Sequence, residues 1–269
     1  MNDSIQIQQQ YEGWRATPLL WFGEDYGLTQ LAIQAKSPSR FNGDIPPTLR
    51  LGMRVEQFVF HELESITEWE IMAKNIQINR TKITLGELDC ILKKDEEIIH
   101  LEIVYKFYLY DPSIGKTERD HWIGPNRKDS LTEKLAKLND KQLPLLHAPE
   151  TQLTLDKMGV TTSEAQQHVH FKAQLFVPLE MKNAQFKDIN MECISGVYFH
   201  REELSIYKDC KFYIPQKANW LTEPHTNIDW MNVTTFTEHI DTLHKEKRSP
   251  LCWLKRPNGE LEKFFVVWW

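Results

Sequence analysis

The chain has 269 residues, 41% of them hydrophobic and 26% charged, with a formal net charge of −6. That is the composition of a globular protein with a sizeable core, and the acidic balance argues against a highly basic nucleic-acid coat protein while leaving room for local basic patches. No apolar run approaches the roughly 20 residues a membrane helix needs. Residues 1–10 lack the plan of a secretory signal, and four dispersed cysteines without C-x-x-C spacing predict a reducing cytoplasm and neither a zinc site nor a disulfide framework.

Residues 1–45 mix apolar residues (Trp14, Leu19, Leu20, Trp21) with turn formers (Ser37-Pro38-Ser39, Asn42-Gly43-Asp44), which predicts one or two short helices and a loop packed on the main body. Pro46-Pro47-Thr48 opens a helix expected to reach about Ile66, with Thr48 as N-cap. Its polar strip is narrow (Arg54, Gln57, His61, Glu64), so most of its circumference should be buried. Glu56 falls beside Met53, Phe60 and Leu63, away from that strip. It is either a carboxylate reaching water at the helix edge or one pointed at a site.

Glu70–Asn79 alternates as a strand. The runs Ile83–Lys93 and Ile98–Tyr110 then flank the charged turn Lys94-Asp95-Glu96-Glu97, the pattern of a β-hairpin. In the second run Ile99, Leu101, Ile103, Tyr105, Phe107 and Leu109 form one face, and His100, Glu102, Lys106 and Tyr108 the other. Glu87 and Asp89 share a face of the first run, so the hairpin can gather Glu87, Asp89, Glu102 and Lys106 on one side. Acids on a half-buried sheet are costly to place there. Two carboxylates on adjacent strands suit a hard cation such as Mg²⁺, which can activate water against a phosphodiester, and a lysine can stabilise the developing charge. The competing reading is a hairpin with a solvated charged face.

Residues 111–129 form an irregular loop of a length that is often functional. Trp122 within it is expected to be packed, with base stacking as the alternative. Ser130-Leu131-Thr132-Glu133 matches a capping box and starts a helix that Leu143-Pro144 should end. Leu131, Leu135 and Leu138 make its buried stripe, Lys134, Lys137 and Lys141 a separate one, and Gln142 projects from the buried face. Arg127, Lys128, Lys134 and Lys137 are either a solvated surface or a ridge that contacts phosphates. The segment 152–160 is ambiguous. Val169–Leu179, Ile194–His200, Lys211–Ile214 and Lys263–Trp269 read as strands, and Thr235–His244 as a helix. The closing aromatic strand needs burial in a sheet or an interface, which also suggests an assembly role for the C-terminus. No Walker, Rossmann or G-x-S-x-G fingerprint is present.

The order helix, three strands, helix, strand, with Asp89 followed by Glu102 and Lys106, resembles the PD-(D/E)XK nuclease superfamily. The stretches Leu51-Gly52 to Glu56, Leu85-Gly86-Glu87-Leu88-Asp89, Leu101-Glu102 to Lys106-Phe107-Tyr108-Leu109 and Trp122 to Asp129 are similar to the bacterial family called domain of unknown function 1853. The resemblance is best over residues 45–145. It implies an α/β (α+β) fold with a restriction-endonuclease-like core over residues 46–180, a mixed central sheet flanked by helices. Residues 1–45 would pack on this core, and an α+β extension, 181–269, would complete the same domain. It further implies a metal-dependent nuclease acting on DNA or another nucleic acid, with no membrane partner. Asp89, Glu102 and Glu56 would hold Mg²⁺ (or Mn²⁺), Asp89, Glu102 and Lys106 would carry catalysis, and Arg127, Lys128, Lys134 and Lys137 would bind the nucleic acid. The lysine departs from the superfamily pattern: a D/E-x-K motif puts it at position 104, where this chain has Val104. Lys106 lies one strand repeat later, and Lys134 or Lys137 could substitute. The alternative is an inactive nuclease-like scaffold that binds nucleic acid or protein.

Overall fold

The alternating apolar runs of the sequence become strands in the computed structural model, which describes residues 3–33, 40–161 and 164–269. The turn expected at Ser37-Pro38-Ser39 lies outside the described residues. In chain order the elements are α1 (Asp3–Ala16), β1 (Glu24–Asp25), β2 (Leu28–Thr29), α2 (Leu51–Glu64), β3 (Glu70–Arg80), β4 (Ile83–Lys94), β5 (Glu97–Tyr110), β6 (Trp122–Ile123), α3 (Leu131–Lys137), α4 (Pro149–Lys157), β7 (Gln166–Pro178), β8 (Ile194–His200), β9 (Lys211–Tyr213), α5 (Val233–Lys245), β10 (Leu251–Lys255) and β11 (Leu261–Val267). The class is α+β, with a mixed, many-stranded sheet and several helices. Among the described residues no helix is long and apolar enough to cross a membrane.

The chain forms two compact units, each assembled from separated segments. One comprises Met1–Pro18, Lys106–Thr132 and Ala173–Trp269; the other comprises Leu19–Tyr105 and Glu133–Lys172. Strands β5 and β7 each contribute a segment to both.

The unit containing Leu19–Tyr105 is built on the antiparallel run β3-β4-β5. Ile76 and Ile78 of β3 and Leu88 and Ile91 of β4 pack with Leu146, Leu155 and Val160 in one apolar cluster. α2 buries Val55, Phe58, Val59 and Leu63, as its apolar residues require. It departs from expectation at its start and on its polar strip. The Leu49 amide bonds to the Pro46 carbonyl, closing a turn over residues that a helix begun at Thr48 would need. Arg50 therefore takes the N-cap position, with extended backbone and no side-chain cap. Arg54, expected to face water, is buried and donates to the Pro46 carbonyl at 3.2 Å, whereas Met53 is exposed.

The helix expected to stop at Pro144 instead continues in altered form. After α3 comes a π-helical turn, Leu138–Gln142, then a 3₁₀ turn, Leu143–His147, before α4. Pro144 sits in the first turn of that 3₁₀ segment, where its missing N–H is not needed.

In the other unit β7, β8 and β11 run parallel in that order, and β10 and β9 follow antiparallel. β11 thus lies between β8 and β10, with Phe264, Phe265, Val266 and Val267 all buried. The aromatic C-terminal strand is core of its own sheet, and Trp268 and Trp269 after it are half-buried. Gly196 of β8 permits the close approach of β11, because a Cβ at that position would lie 2.3 Å from the Lys263 carbonyl oxygen. Trp122 is fully buried, so it does not offer a face to a base.

Candidate active site

The β4–β5 ladder runs from Lys94 opposite Glu97 to Cys90 opposite Leu101. Beyond it Asp89 meets β5 through its side chain: Oδ2 accepts the amide hydrogen of Ile103 at 2.8 Å. The carboxylate takes over a main-chain donor that the ladder would otherwise have satisfied. Glu102 is the next residue inward on β5, and its side chain is 0% exposed. The polar side of the hairpin is therefore not a solvated face.

Both carboxylate oxygens of Glu102 are engaged. Oε1 lies 3.1 Å from Nε2 of His100, which is also 0% exposed. Oε2 accepts from Nε2 of Gln142, at the end of the π-helical turn. Gln167 Nε2 lies 3.1 Å from His100 Nδ1 and 2.6 Å from the Leu143 carbonyl. An amide nitrogen can only donate, so His100 Nδ1 accepts and its Nε2–H donates to Glu102. Burial holds this imidazole down to about 4, in keeping with a neutral ring. On the other side of Gln142, Lys134 Nζ donates to Oε1 at 2.7 Å. The result is one connected chain, Lys134–Gln142–Glu102–His100–Gln167.

The acids near it are strongly perturbed. Desolvation, then the Glu102 charge, pushes Asp89 up to about 7, against the bond from Ile103 and the Lys134 charge. Desolvation likewise pushes Glu102 up to about 7, opposed by Lys134, by a hydrogen bond from the Asp89 backbone and by Lys137. Glu56 of α2 also rises to about 7, through burial first and then the charges of Asp89 and Glu87. Asn75 Nδ2 donates to Glu56 Oε2 at 3.3 Å. Asn75 has a left-handed backbone, φ 54°, between Lys74 (opposite Cys90) and Ile76 (opposite Leu88), which sets it beside the Asp89 position of β4. Asn tolerates this region better than most residues.

The structure thus brings Glu56, Asp89, Glu102, Lys134 and Lys137 into one electrostatic group. Lys106 and the Arg127-Lys128 pair belong to the other unit. There Lys106 Nζ donates to Asp129 at 2.5 Å, and Arg127 pairs with Asp111 at 2.7 Å and lies 4.5 Å from the centre of the Trp269 ring. His100, Gln167 and Asn75 were not singled out from sequence. An Asn inside an otherwise strand-like run was the available signal for Asn75, since strands are poor in Asn.

Among the described residues no three His, Cys, Asp or Glu side chains converge as a metal-holding group. Mg²⁺, however, is commonly held by one or two carboxylates, with waters and phosphate oxygens completing its shell. The paired hard oxygens of Asp89 and Glu102 fit that pattern. Asn75 Oδ1 adds a neutral oxygen, buried and without a hydrogen-bond partner among the described residues.

A family model described as Domain of unknown function (DUF1853) matches residues 10–267. No curated protein and no solved structure matches the chain.

Proposed function

The chain belongs to the DUF1853 family, and from that premise and the chemistry of its buried acids we propose a metal-dependent nuclease of the PD-(D/E)XK type, hydrolysing phosphodiester bonds of DNA or another nucleic acid. The observation that carries this reading is the pair Asp89 and Glu102. Both are pushed up to about 7 by burial, Asp89 also by the Glu102 charge, and both feel the Lys134 charge. Perturbed acids with a specific charge partner are a mark of functional sites. Held by Asp89 and Glu102, Mg²⁺ or Mn²⁺ would polarise the scissile phosphodiester and lower the pKa of an attacking water.

The chain's own residues do the rest. His100 and Gln142 fix both oxygens of Glu102, so its carboxylate needs no reorientation when a cation arrives. The Ile103 amide holds one oxygen of Asp89, Oδ2. Lys134 takes the role that the superfamily pattern gives to a strand lysine, stabilising negative charge that builds on the phosphate. Glu56, held by Asn75, is the third acid, and Lys137 draws the substrate's backbone.

The test is cleavage of single- and double-stranded DNA and RNA with and without Mg²⁺ or Mn²⁺, alongside calorimetric metal titration. Metal-dependent cleavage lost in Asp89→Asn and Glu102→Gln is the expected result. No cleavage of any form, with no metal binding, overturns the reading. One observation favours the rival, an inactive scaffold that binds nucleic acid: Lys106 is already spent on Asp129. Metal-independent binding that survives Asp89→Asn, without cleavage, selects that rival.

A further inference from the structure

In the unit that contains the C-terminal strands, a cavity of about 540 Å³ opens at the start of β8 and β11. That is the size of a small-molecule site, with room for roughly three benzene-sized groups. Pro18, Ile194, Val197 and Pro224 give it an apolar wall, and Lys263 and Glu223 a charged one.

Lys263 sits on β11, between β8 and β10, and its side chain is 3% exposed. A buried ammonium is costly unless it is paired and hydrogen-bonded. Its buried partner is Gln174, whose Oε1 accepts from Nζ at 3.3 Å and whose amide is tied to the Thr17 hydroxyl at 3.4 Å. Its charged partner is different in kind: Glu223 Oε1 lies 2.7 Å from Nζ, yet the Glu223 side chain is 66% exposed. A carboxylate on a side chain that stands mostly in water thus already reaches the buried ammonium. The ammonium has three N–H donors. Gln174 and Glu223 take two, and the third has no partner among the described residues.

Glu223 loses little on release, because water solvates its carboxylate, whereas Lys263 needs an anion in its place. An incoming carboxylate replaces Glu223 charge for charge, and its second oxygen can take the third N–H. The rest of the lining adds no net positive charge: Glu192 balances Lys182, and Glu262 is paired with Arg256. One ammonium therefore matches a monoanion and leaves a phosphate dianion under-compensated. We propose that this cavity binds a small molecule carrying one carboxylate on an apolar body, the carboxylate displacing Glu223 from Lys263.

The test is a ligand-observed NMR titration of the full-length chain with benzoate and phenylacetate, against the matched amides and phenyl phosphate. Expected is saturable binding of both carboxylates, at least about tenfold tighter than of the amides or phenyl phosphate. Lys263→Met should weaken it by about tenfold or more, and Glu223→Gln, where no anion competes, should tighten it by about tenfold. No saturable binding to the natural chain overturns the proposal, even where Glu223→Gln binds, since Glu223 is then a permanent partner of Lys263. Affinity unchanged in Lys263→Met overturns it too, as do amides or phenyl phosphate that bind as tightly as the carboxylates. Should Lys263→Met not fold, the amide comparison and Glu223→Gln carry the test.

Discussion

Lys134 Nζ donates to Gln142 Oε1 at 2.7 Å, and the same amide donates its hydrogen to Glu102. A side chain eight residues along is thereby locked between a cation and a buried acid. The π-helical turn at Leu138–Gln142 re-aims Gln142 at this point, a use of such turns that recurs at functional sites. Through this bridge Lys134 is coupled to the acid pair, whereas Lys106 is neutralised by Asp129.

From this follows a division between the two lysines. Lys134→Met should lower metal-dependent turnover by about 10²–10³-fold, the usual cost of removing one donor to a charged transition state. Lys106→Met should leave it little changed. Single-turnover cleavage rates of the two variants check this, and the opposite ranking would return the catalytic role to Lys106.

The raised acids set a pH dependence whose sign is fixed. Asp89, Glu102 and Glu56 are held at about 7 in the folded chain, from model values of 3.8 for the aspartate and 4.5 for the glutamates. Between those values the folded state binds more protons than the unfolded one, so their contribution to stability falls as pH rises towards 7 and is flat above it. His100, held down to about 4, works the other way: its contribution falls as pH drops from the unfolded imidazole value of roughly 6.5. The two trends oppose each other in the natural chain, and Asp89→Asn separates them. This variant should gain on the natural chain by a few °C in Tm as pH rises from about 5 to about 8. Mg²⁺ should raise the Tm of the natural chain more at the higher pH, and that of the variant little. Parallel melting curves across the range would show that Asp89 carries no raised pKa.

The sequence made the hairpin and its acids visible because period-two alternation and a charged turn are local signals, and β3, β4, β5 and β8 follow the expected strands closely. What it hid depends on packing. Alternation in β5 suggests one wet face, yet His100 and Glu102 are as buried as Leu101, because the polar residues face other protein groups and not water. The start of α2 moved because a turn at Pro46 outweighs a good N-cap residue at Thr48. Gln142 stood out as an amide on a buried stripe, but its partner could not be read without the π-helical turn. The choice between Lys106 and Lys134 turns on Asp129, a residue far along the chain whose proximity no spacing rule supplies.

A buried charge in the unit that contains the C-terminal strands gives a stability test. The Lys263 side chain is 3% exposed, and its Nζ donates to Glu223 at 2.7 Å and Gln174 at 3.3 Å. It borders a cavity of about 540 Å³ within its own unit. Burial lowers the Lys263 pKa, and Glu223 opposes that shift. The two partners are unequal, because the Glu223 side chain is 66% exposed and can return to water, whereas the ammonium cannot. Removing the acid leaves a buried charge under-compensated, while removing the lysine takes the desolvation cost away with it. Glu223→Ala should therefore destabilise by about 1–2 kcal/mol, below the usual cost of breaking a buried pair because water already reaches Glu223. Lys263→Met should be near neutral, and the double variant should match it. Urea unfolding at constant m-value measures all three, and a Lys263→Met loss larger than that of Glu223→Ala would contradict the argument.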